Sequence, residues 1–123
     1  MLLKETKPVQ LLYHGTCYKY SHWIETEGLR PVNHDKVYLT ADIVVAYHYA
    51  KQCSKNNEMS LPVICIVDAT QMFKDGYSFT HEANTAEWTT DYVPNKYIIQ
   101  VLPESEDELS GLVHYAQEQV AHE

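Results

Sequence analysis

The chain contains 123 residues, of which 45% are hydrophobic and 21% are charged, and it has a formal net charge of −8 at pH 7. These values are typical of one globular domain with a single core. Arg30 is the only arginine. Strong nonspecific binding to a nucleic-acid backbone is therefore not expected, because such binding depends on Lys and Arg at the phosphates. Net charge does not exclude a small local basic patch, for which the candidates are Lys19, Arg30, Lys36 and Lys51.

The sequence carries no signal for a membrane segment, a disulfide or a metal site. No apolar segment is long enough to cross a bilayer, and residues 1–7 do not resemble a signal peptide, so we expect a cytoplasmic protein without a membrane partner. Cys17, Cys53 and Cys65 form no CxxC pair, and they are expected to be reduced thiols, with Cys65 in the core. Because HExxH and paired-cysteine spacings are missing, we expect no metal.

Apolar periodicity and turn residues in the first half of the chain predict short strands and helices. A strand is expected at residues 10–13, ending at His14-Gly15, and a helix at residues 18–27, where Gly28 ends it. Residues 30–35 are expected to form a loop, and residues 37–39 are expected to form a second strand. The next helix is expected over residues 41–52, with Thr40 as its N-cap and one shared face of Ile43, Ala46, Tyr47 and Ala50.

The second half continues the same mixture, which predicts an α+β domain. Residues 53–60 are expected to be an exposed loop, and the apolar run 62–67 is expected to be the central strand. A short helix at 69–73 and strands at 87–89 and 97–102 follow. A capping box and an apolar face predict a final helix within 104–122, which either docks on the domain or contacts a partner; its residues are Ser105, Glu108, Leu109, Leu112, Val113, Ala116 and Val120.

A series of short motifs along the chain resembles the catalytic lobe of the RNA 2′-phosphotransferase family, one branch of the ADP-ribosyltransferase superfamily. The resemblance covers residues 11–101, and it implies a single domain over 1–123 with a compact fold of small split β-sheets, short flanking helices and the extra C-terminal helix. It also implies NAD as a co-substrate. The motifs are His14-Gly15-Thr16, Gly28-Leu29 with Pro31, Val37-Tyr38-Leu39-Thr40, Val67-Asp68-Ala69, Asp75-Gly76, Trp88 and Val93-Pro94.

The resemblance to the wider ADP-ribosyltransferase superfamily implies an NAD site, in which we expect three residues to be catalytic, namely His14, Tyr38 and Glu87. The main chain of Gly15 is expected to hold the nicotinamide carboxamide, since a missing side chain lets a ligand approach closely, and His14 is expected to bind a ribose hydroxyl. Tyr38 offers an aromatic face to nicotinamide, with Tyr49 or Tyr47 as a second wall. The implied cofactor-binding set is His14, Gly15, Thr16, Tyr38, Thr40, Tyr47 and Tyr49.

Glu87 is the residue on which the functional interpretation rests. A carboxylate beside the nicotinamide ribose stabilises the positive charge that develops when nicotinamide leaves. Each residue also has an interpretation without a catalytic role. Glu87 can be a solvated glutamate at a strand edge, Tyr38 a core tyrosine, and His14 an ordinary polar contact.

The sequence departs from the resembled family at several places. Tyr38 and Glu87 stand where that family usually carries histidine and an apolar residue, which gives a His-Tyr-Glu motif. Residues 1–10 hold no counterpart of the family's basic RNA-binding lobe, and Asn33-His34-Asp35 stand where an arginine is common. We therefore expect an NAD-dependent ADP-ribosyltransferase whose acceptor is an unidentified protein, nucleic acid or small molecule. The alternatives are a reduced RNA 2′-phosphotransferase and a non-catalytic acidic interaction or inhibitor module.

Overall fold

The computed structural model describes residues 2–4, 7–8, 10–31 and 35–102, with residues 2–4 described by their main chain. The C-terminal helix expected within 104–122 lies outside these residues. The described part contains seven strands, three α-helices and two 3-10 turns. The strands are β1 (Leu2–Lys4), β2 (Leu11–Cys17), β3 (Val37–Thr40), β4 (Pro62–Asp68), β5 (Thr80–Glu82), β6 (Glu87–Thr90) and β7 (Ile98–Leu102), the helices are α1 (Ser21–Glu27), α2 (Ile43–Asn56) and α3 (Ala69–Lys74), and the turns are Tyr18–Tyr20 and Asn95–Tyr97.

The strands form one antiparallel sheet in the order β1-β5-β6-β3-β2-β4-β7. Its two halves, β1-β5-β6-β3 and β2-β4-β7, are joined by a single residue pair, Tyr13 with Thr40. Within the halves, by contrast, β2 pairs with β4 along its whole length. The predicted α+β class is thus confirmed, and the two half-sheets are nearly separate at the β2–β3 junction.

The apolar run that forms β4 is not the central strand, which is a correction to the prediction. β4 lies second from one edge, between β2 and β7. It is apolar throughout because both of its faces are covered. Ile64 packs with Ala46 of α2 on one face, whereas Cys65 and Val67 belong to the main core on the other. The prediction took burial of both faces as a sign of a central position, and a helix over a near-edge strand produces the same pattern.

Helix α2 begins and ends later than its sequence pattern indicated. Its N-cap is Asp42, whose carboxylate accepts a hydrogen bond from the main-chain N of Val44 at 2.9 Å. Thr40, the predicted cap, instead accepts a hydrogen bond from the main-chain N of Asp42 at 3.0 Å. The helix extends to Asn56, so the first residues of the predicted 53–60 loop are helical.

The first predicted helix and its end are largely as expected. Residues 18–27 divide into a 3-10 turn and α1, and Gly28 follows with a positive φ of 79°. A Cβ atom at Gly28 would lie 2.1 Å from the main-chain oxygen of Val93, so glycine is required there by both conformation and space. The short strands β1 and β5 were not predicted.

Candidate nicotinamide nucleotide site

A cavity of about 660 Å³ opens where the two half-sheets separate. β2 and β3 are paired only at Tyr13 and Thr40, so their continuations leave a cleft between them. The register of β3 with β6 then places Glu87 directly opposite Thr40. As a result, residues distant in sequence share the cavity wall, including His14, Gly15, Tyr38, Thr40, Tyr49 and Glu87.

His14 bridges the cleft. Its Nδ1 lies 2.9 Å from the main-chain oxygen of Tyr38. Because a carbonyl oxygen can only accept, Nδ1 carries the proton, and in the neutral ring Nε2 is then an acceptor. Burial lowers the pKa of His14 below its ordinary value, and the bond to Tyr38 opposes that shift only in part. A neutral imidazole that presents an acceptor nitrogen suits a hydroxyl group of a ligand.

Gly15 lines the cavity, but its lack of a side chain also has a packing cause. A Cβ atom at Gly15 would lie 1.9 Å from the main-chain oxygen of Ala46 and 2.8 Å from the main-chain nitrogen of Ala50. No rotamer change relieves a clash with a helix backbone. Glycine at this position therefore allows α2 to lie directly on β2, in addition to any contact with a ligand.

The tyrosines expected around nicotinamide occupy different environments. Tyr38 and Tyr49 both line the cavity, and 43% and 57% of their respective surfaces are exposed. Tyr47 is not among the lining residues; its ring packs against the Ala46–Ile64 cluster, with Lys51 Nζ 5.4 Å from its centroid. Thr16 is buried and also does not line the cavity, whereas Thr40 does.

Glu87 is a half-buried residue at the start of β6 and lines the cavity. Its main-chain N donates a hydrogen bond to Thr85 Oγ1 at 3.1 Å, which fixes the backbone as the strand begins. On the same strand, Trp88 is 4% exposed and stacks on His81 with a centroid distance of 4.2 Å. This packing holds β6 in register, so the carboxylate of Glu87 is carried by a rigid element.

Arg30 and Lys36 line the cavity. The sequence placed both in a candidate basic patch, and it offered Lys36, with His34 and Lys51, as a partial substitute for the family's phosphate-binding arginines. The Arg30 guanidinium lies 4.5 Å from the ring centroid of Tyr92, and Lys36 forms an ion pair with Asp91. Both flank the start of β3, since Arg30 follows the Gly28 turn and Lys36 immediately precedes the strand. Lys51 is not a lining residue, and His34 lies outside the described residues.

Among the residues that the structure describes, no group of three or more His, Cys, Asp or Glu side chains is arranged to hold a metal ion. In the same part of the chain, no helix has the length and apolar character needed to span a membrane. Cys53 also lines the cavity, which the sequence did not indicate.

Comparison with known protein sequences places the chain in a family. The model of the family described as "RNA 2′-phosphotransferase, Tpt1 / KptA family" matches residues 1–91. Relatives named probable RNA 2′-phosphotransferase include those of Fusobacterium nucleatum subsp. nucleatum, 36% identical over 78% of this chain and 50% of the relative. The relative from Flavobacterium johnsoniae is 35% identical over 78% of this chain and 49% of the relative. The relative from Agrobacterium fabrum is 39% identical over 75% of this chain and 46% of the relative. The chain spans about half the length of these curated relatives.

These matches correct the functional expectation drawn from the sequence. An ADP-ribosyltransferase with an unidentified acceptor was inferred from departures from the resembled pattern, namely Tyr38, Glu87, the missing basic lobe and the missing arginine near residues 33–35. The family model and the relatives instead match along most of the chain and carry one name. That expectation is therefore wrong, and the alternative of a reduced RNA 2′-phosphotransferase fits better. By sequence and by descent, the chain belongs to the RNA 2′-phosphotransferase, Tpt1 / KptA family.

Proposed function

We propose that this protein is an enzyme that binds NAD in the cavity between its half-sheets and uses it to remove a 2′-phosphate from RNA. The observation that carries the proposal is the convergence of His14, Tyr38 and Glu87 on one cavity in a member of this family. A cavity of about 660 Å³ is within the size range of small-molecule and cofactor sites.

The groups on the cavity wall support this proposed placement of NAD. The rings of Tyr38 and Tyr49 are the surfaces on which nicotinamide stacks. His14 Nε2, free of the bond that Nδ1 makes, accepts a hydrogen bond from a ribose hydroxyl. The main chain of Gly15 is the partner that the family resemblance implies for the carboxamide.

Glu87 is proposed to act on the charge that forms during bond cleavage. When nicotinamide leaves, positive charge develops on the ribose carbon to which it was joined. A carboxylate held nearby by a rigid strand stabilises that charge more than it stabilises neutral ribose, and such a difference accelerates the reaction. Glu87 stands where the family pattern has an apolar side chain, and it would assist the step in which nicotinamide is released.

The phosphate groups of the substrates require cations, and Arg30 and Lys36 are the ones on the cavity wall among the described residues. Arg30 presents a planar guanidinium that bonds two phosphate oxygens at once. Lys36 is paired with Asp91 and would exchange that partner for a phosphate. The net charge of −8 suggested that strong nonspecific nucleic-acid binding is absent. Membership of a family named for an RNA 2′-phosphotransferase does not support that suggestion.

The test is an assay with a short RNA that carries one internal 2′-phosphate labelled with ³²P. The protein is incubated with this RNA in the presence and absence of NAD, and label leaving the RNA and free nicotinamide are both measured. We expect both products, and only when NAD is present. Nicotinamide release without loss of the 2′-phosphate, or no release of either, would overturn the proposal.

A direct titration separates the proposal from the alternative of a non-catalytic module. Isothermal calorimetry of the protein with NAD should give one binding site, and Tyr49→Ala should weaken it. Tyr47→Ala is the matched control, because Tyr47 is on the same helix but does not line the cavity. Absence of NAD binding would exclude the enzymatic proposal regardless of the RNA used.

A further inference from the structure

We propose that Cys17 and Cys53 form a reversible disulfide that cross-links β2 to α2 at the wall of the cavity. Their sulfur atoms lie 2.6 Å apart, which is about 0.6 Å longer than a disulfide bond. Both are free thiols in this structure, and the third cysteine, Cys65, is buried elsewhere in the core. The proposal does not depend on the proposed function.

The pair is brought together by the way in which α2 packs on β2. Gly15 lets the helix backbone approach the strand at Ala46 and Ala50. Cys53 follows Ala50 by about one helical turn, and Cys17 follows Gly15 by two residues, which returns it to the same face of the strand. This close contact between helix and strand is therefore followed, in both elements, by a cysteine.

The two thiols differ in access. Cys17 has no exposed surface, whereas Cys53 is partly exposed and lines the cavity, so a small reagent reaches Cys53 first. Cys53 also has polar neighbours: Asn57 Nδ2 lies 3.6 Å and Thr16 Oγ1 3.9 Å from its sulfur. Asn57 is itself held by Tyr20 and Lys19, so the amide is fixed beside the sulfur.

The oxidant in this proposal is a small-molecule disulfide such as glutathione disulfide. The Cys53 thiolate attacks one sulfur of the reagent, the reagent's S–S bond breaks, and one glutathione thiolate leaves and takes up a proton. The Cys17 thiolate then attacks Cys53 Sγ in the mixed disulfide and displaces the second glutathione. In total, two protein thiols are oxidised, one reagent disulfide is reduced to two thiols, and the two protons pass to the released glutathione.

Thiolate is scarce at neutral pH, which determines the conditions of the test. Burial, followed by the hydrogen bond with Cys17, raises the pKa of Cys53 to about 11. The reaction is therefore run at about pH 9, where a measurable fraction of thiolate is present. The folded full chain is incubated with glutathione disulfide, quenched with acid, denatured and alkylated with N-ethylmaleimide, and a peptide map identifies the linked cysteines.

We expect one alkylated cysteine per chain, Cys65, and a peptide pair joined through Cys17 and Cys53. In the variant C53S, Cys17 and Cys65 should remain free thiols. In the variant C17S, the mixed disulfide between glutathione and Cys53 should accumulate, because no second thiol displaces the glutathione. The oxidised wild-type chain should also unfold at a temperature higher by on the order of 10 °C, because the cross-link spans 36 positions of the chain. Reduction with dithiothreitol should reverse both changes.

Three results would overturn the proposal. They are alkylation of all three cysteines after oxidation, a stable glutathione adduct on Cys53 in the wild-type chain, and a link that includes Cys65. The wild-type peptide map decides among these without any variant, so a failure of C17S to fold does not affect the conclusion. Because the readout is the covalent link itself, failure of the NAD and RNA assays leaves this test unchanged.

Discussion

The imidazole of His14 donates a hydrogen bond to the main-chain oxygen of Tyr38 at 2.9 Å, across the gap between β2 and β3. Two residues proposed to bind the same nucleotide are thus fixed relative to one another before any ligand arrives. The bond also determines the tautomer of the ring, because the carbonyl accepts only from a protonated Nδ1.

Replacing His14 by Ala should weaken NAD binding about 10-fold, since one hydrogen bond to the ribose and the fixed ring are lost. Burial keeps the pKa of His14 below its ordinary value of 6.5, so the neutral ring persists above that pH. NAD affinity should therefore be independent of pH from 6.5 to 8. Calorimetry measures both effects, and His22→Ala on α1, an exposed histidine away from the cavity, is the control.

Glu87→Gln should lower the rate of nicotinamide release about 100- to 1,000-fold with little change in NAD affinity, because the lost charge acts mainly in the transition state. The amide is almost the same size as the carboxylate, so thermal unfolding should be unchanged. Glu25→Gln, on the exposed side of α1, is the matched control. A rate equal to that of the wild-type protein would remove Glu87 from the mechanism.

Removing a cavity cation and removing the charge of Asp91, the ion-pair partner of Lys36, should alter RNA binding in opposite directions. Arg30→Ala or Lys36→Ala should weaken binding of 2′-phosphorylated RNA and reduce its dependence on salt by about one unit of slope each. Asp91→Asn should strengthen binding, because it releases Lys36 from its ion pair. Fluorescence anisotropy at several salt concentrations measures these changes, with Lys55→Ala on the exposed last turn of α2 as the control. Equal effects of Lys55 and Lys36 would show a purely nonspecific charge contribution.

Gly15→Ala should destabilise the fold by about 3 kcal/mol, the upper part of the range for overpacking, because the added carbon would meet the α2 backbone. Gly76→Ala is the informative comparison: its Cβ would meet no atom within 4 Å, and only its φ of 100° is unfavourable. It should cost about 1–2 kcal/mol. Urea unfolding gives both values, and a smaller loss for Gly15 than for Gly76 would contradict the packing argument.

The hydrogen bond between the Tyr97 hydroxyl and the Asp75 carboxylate should make the free energy of unfolding depend on pH. Tyr97 Oη donates to Asp75 Oδ2 at 2.6 Å, and this bond is the main cause that lowers the pKa of Asp75 and raises that of Tyr97 to about 12. A lowered carboxyl pKa stabilises the fold above the unfolded value of 3.8, and the contribution is lost as the pH falls through the folded value. The raised phenol pKa contributes below the unfolded value of 10.0, and that contribution is lost as the pH rises towards about 12.

Tyr97→Phe should therefore flatten the change of melting temperature both below pH 4 and above pH 10. Tyr92→Phe is the control, because the Tyr92 hydroxyl donates at 2.7 Å to the main-chain oxygen of Glu27, a group that does not titrate. It should lower the melting temperature by a similar amount at every pH from 4 to 9. An unchanged pH profile in Tyr97→Phe would show that the pair does not couple to folding.

Local signals in the sequence were sufficient for most elements of the fold. Gly28 ends α1 because a positive φ and a tight contact both exclude a side chain, and glycine followed by proline three residues later is a recognisable helix end. The spacing of Ala46 and Ala50 predicted that they share the buried face of α2, and both residues are fully buried. What failed was position in the sheet, because an apolar strand such as β4 looks the same wherever both of its faces are covered.

The candidate site was predictable only where a motif carried it. His14, Tyr38 and Glu87 were proposed from short motifs, and the cavity includes all three. Arg30, Lys36 and Cys53 belong to no motif, and their position on the wall depends on long-range packing that a single sequence does not encode locally. The main functional interpretation was wrong for a different reason: local departures from the family pattern were given more weight than many weak matches along the chain.

The single Tyr13–Thr40 pair has a mechanical consequence. Elsewhere in the sheet, neighbouring strands are joined by several main-chain positions, but here the main-chain link between the halves is one ladder position. The halves are therefore held together mainly by the His14–Tyr38 hydrogen bond and by the core that both share, in which Leu12 of β2 packs in the same cluster as Leu39 of β3. A nucleotide bound between them would contact both halves and would strengthen a connection that the sheet itself makes at a single pair.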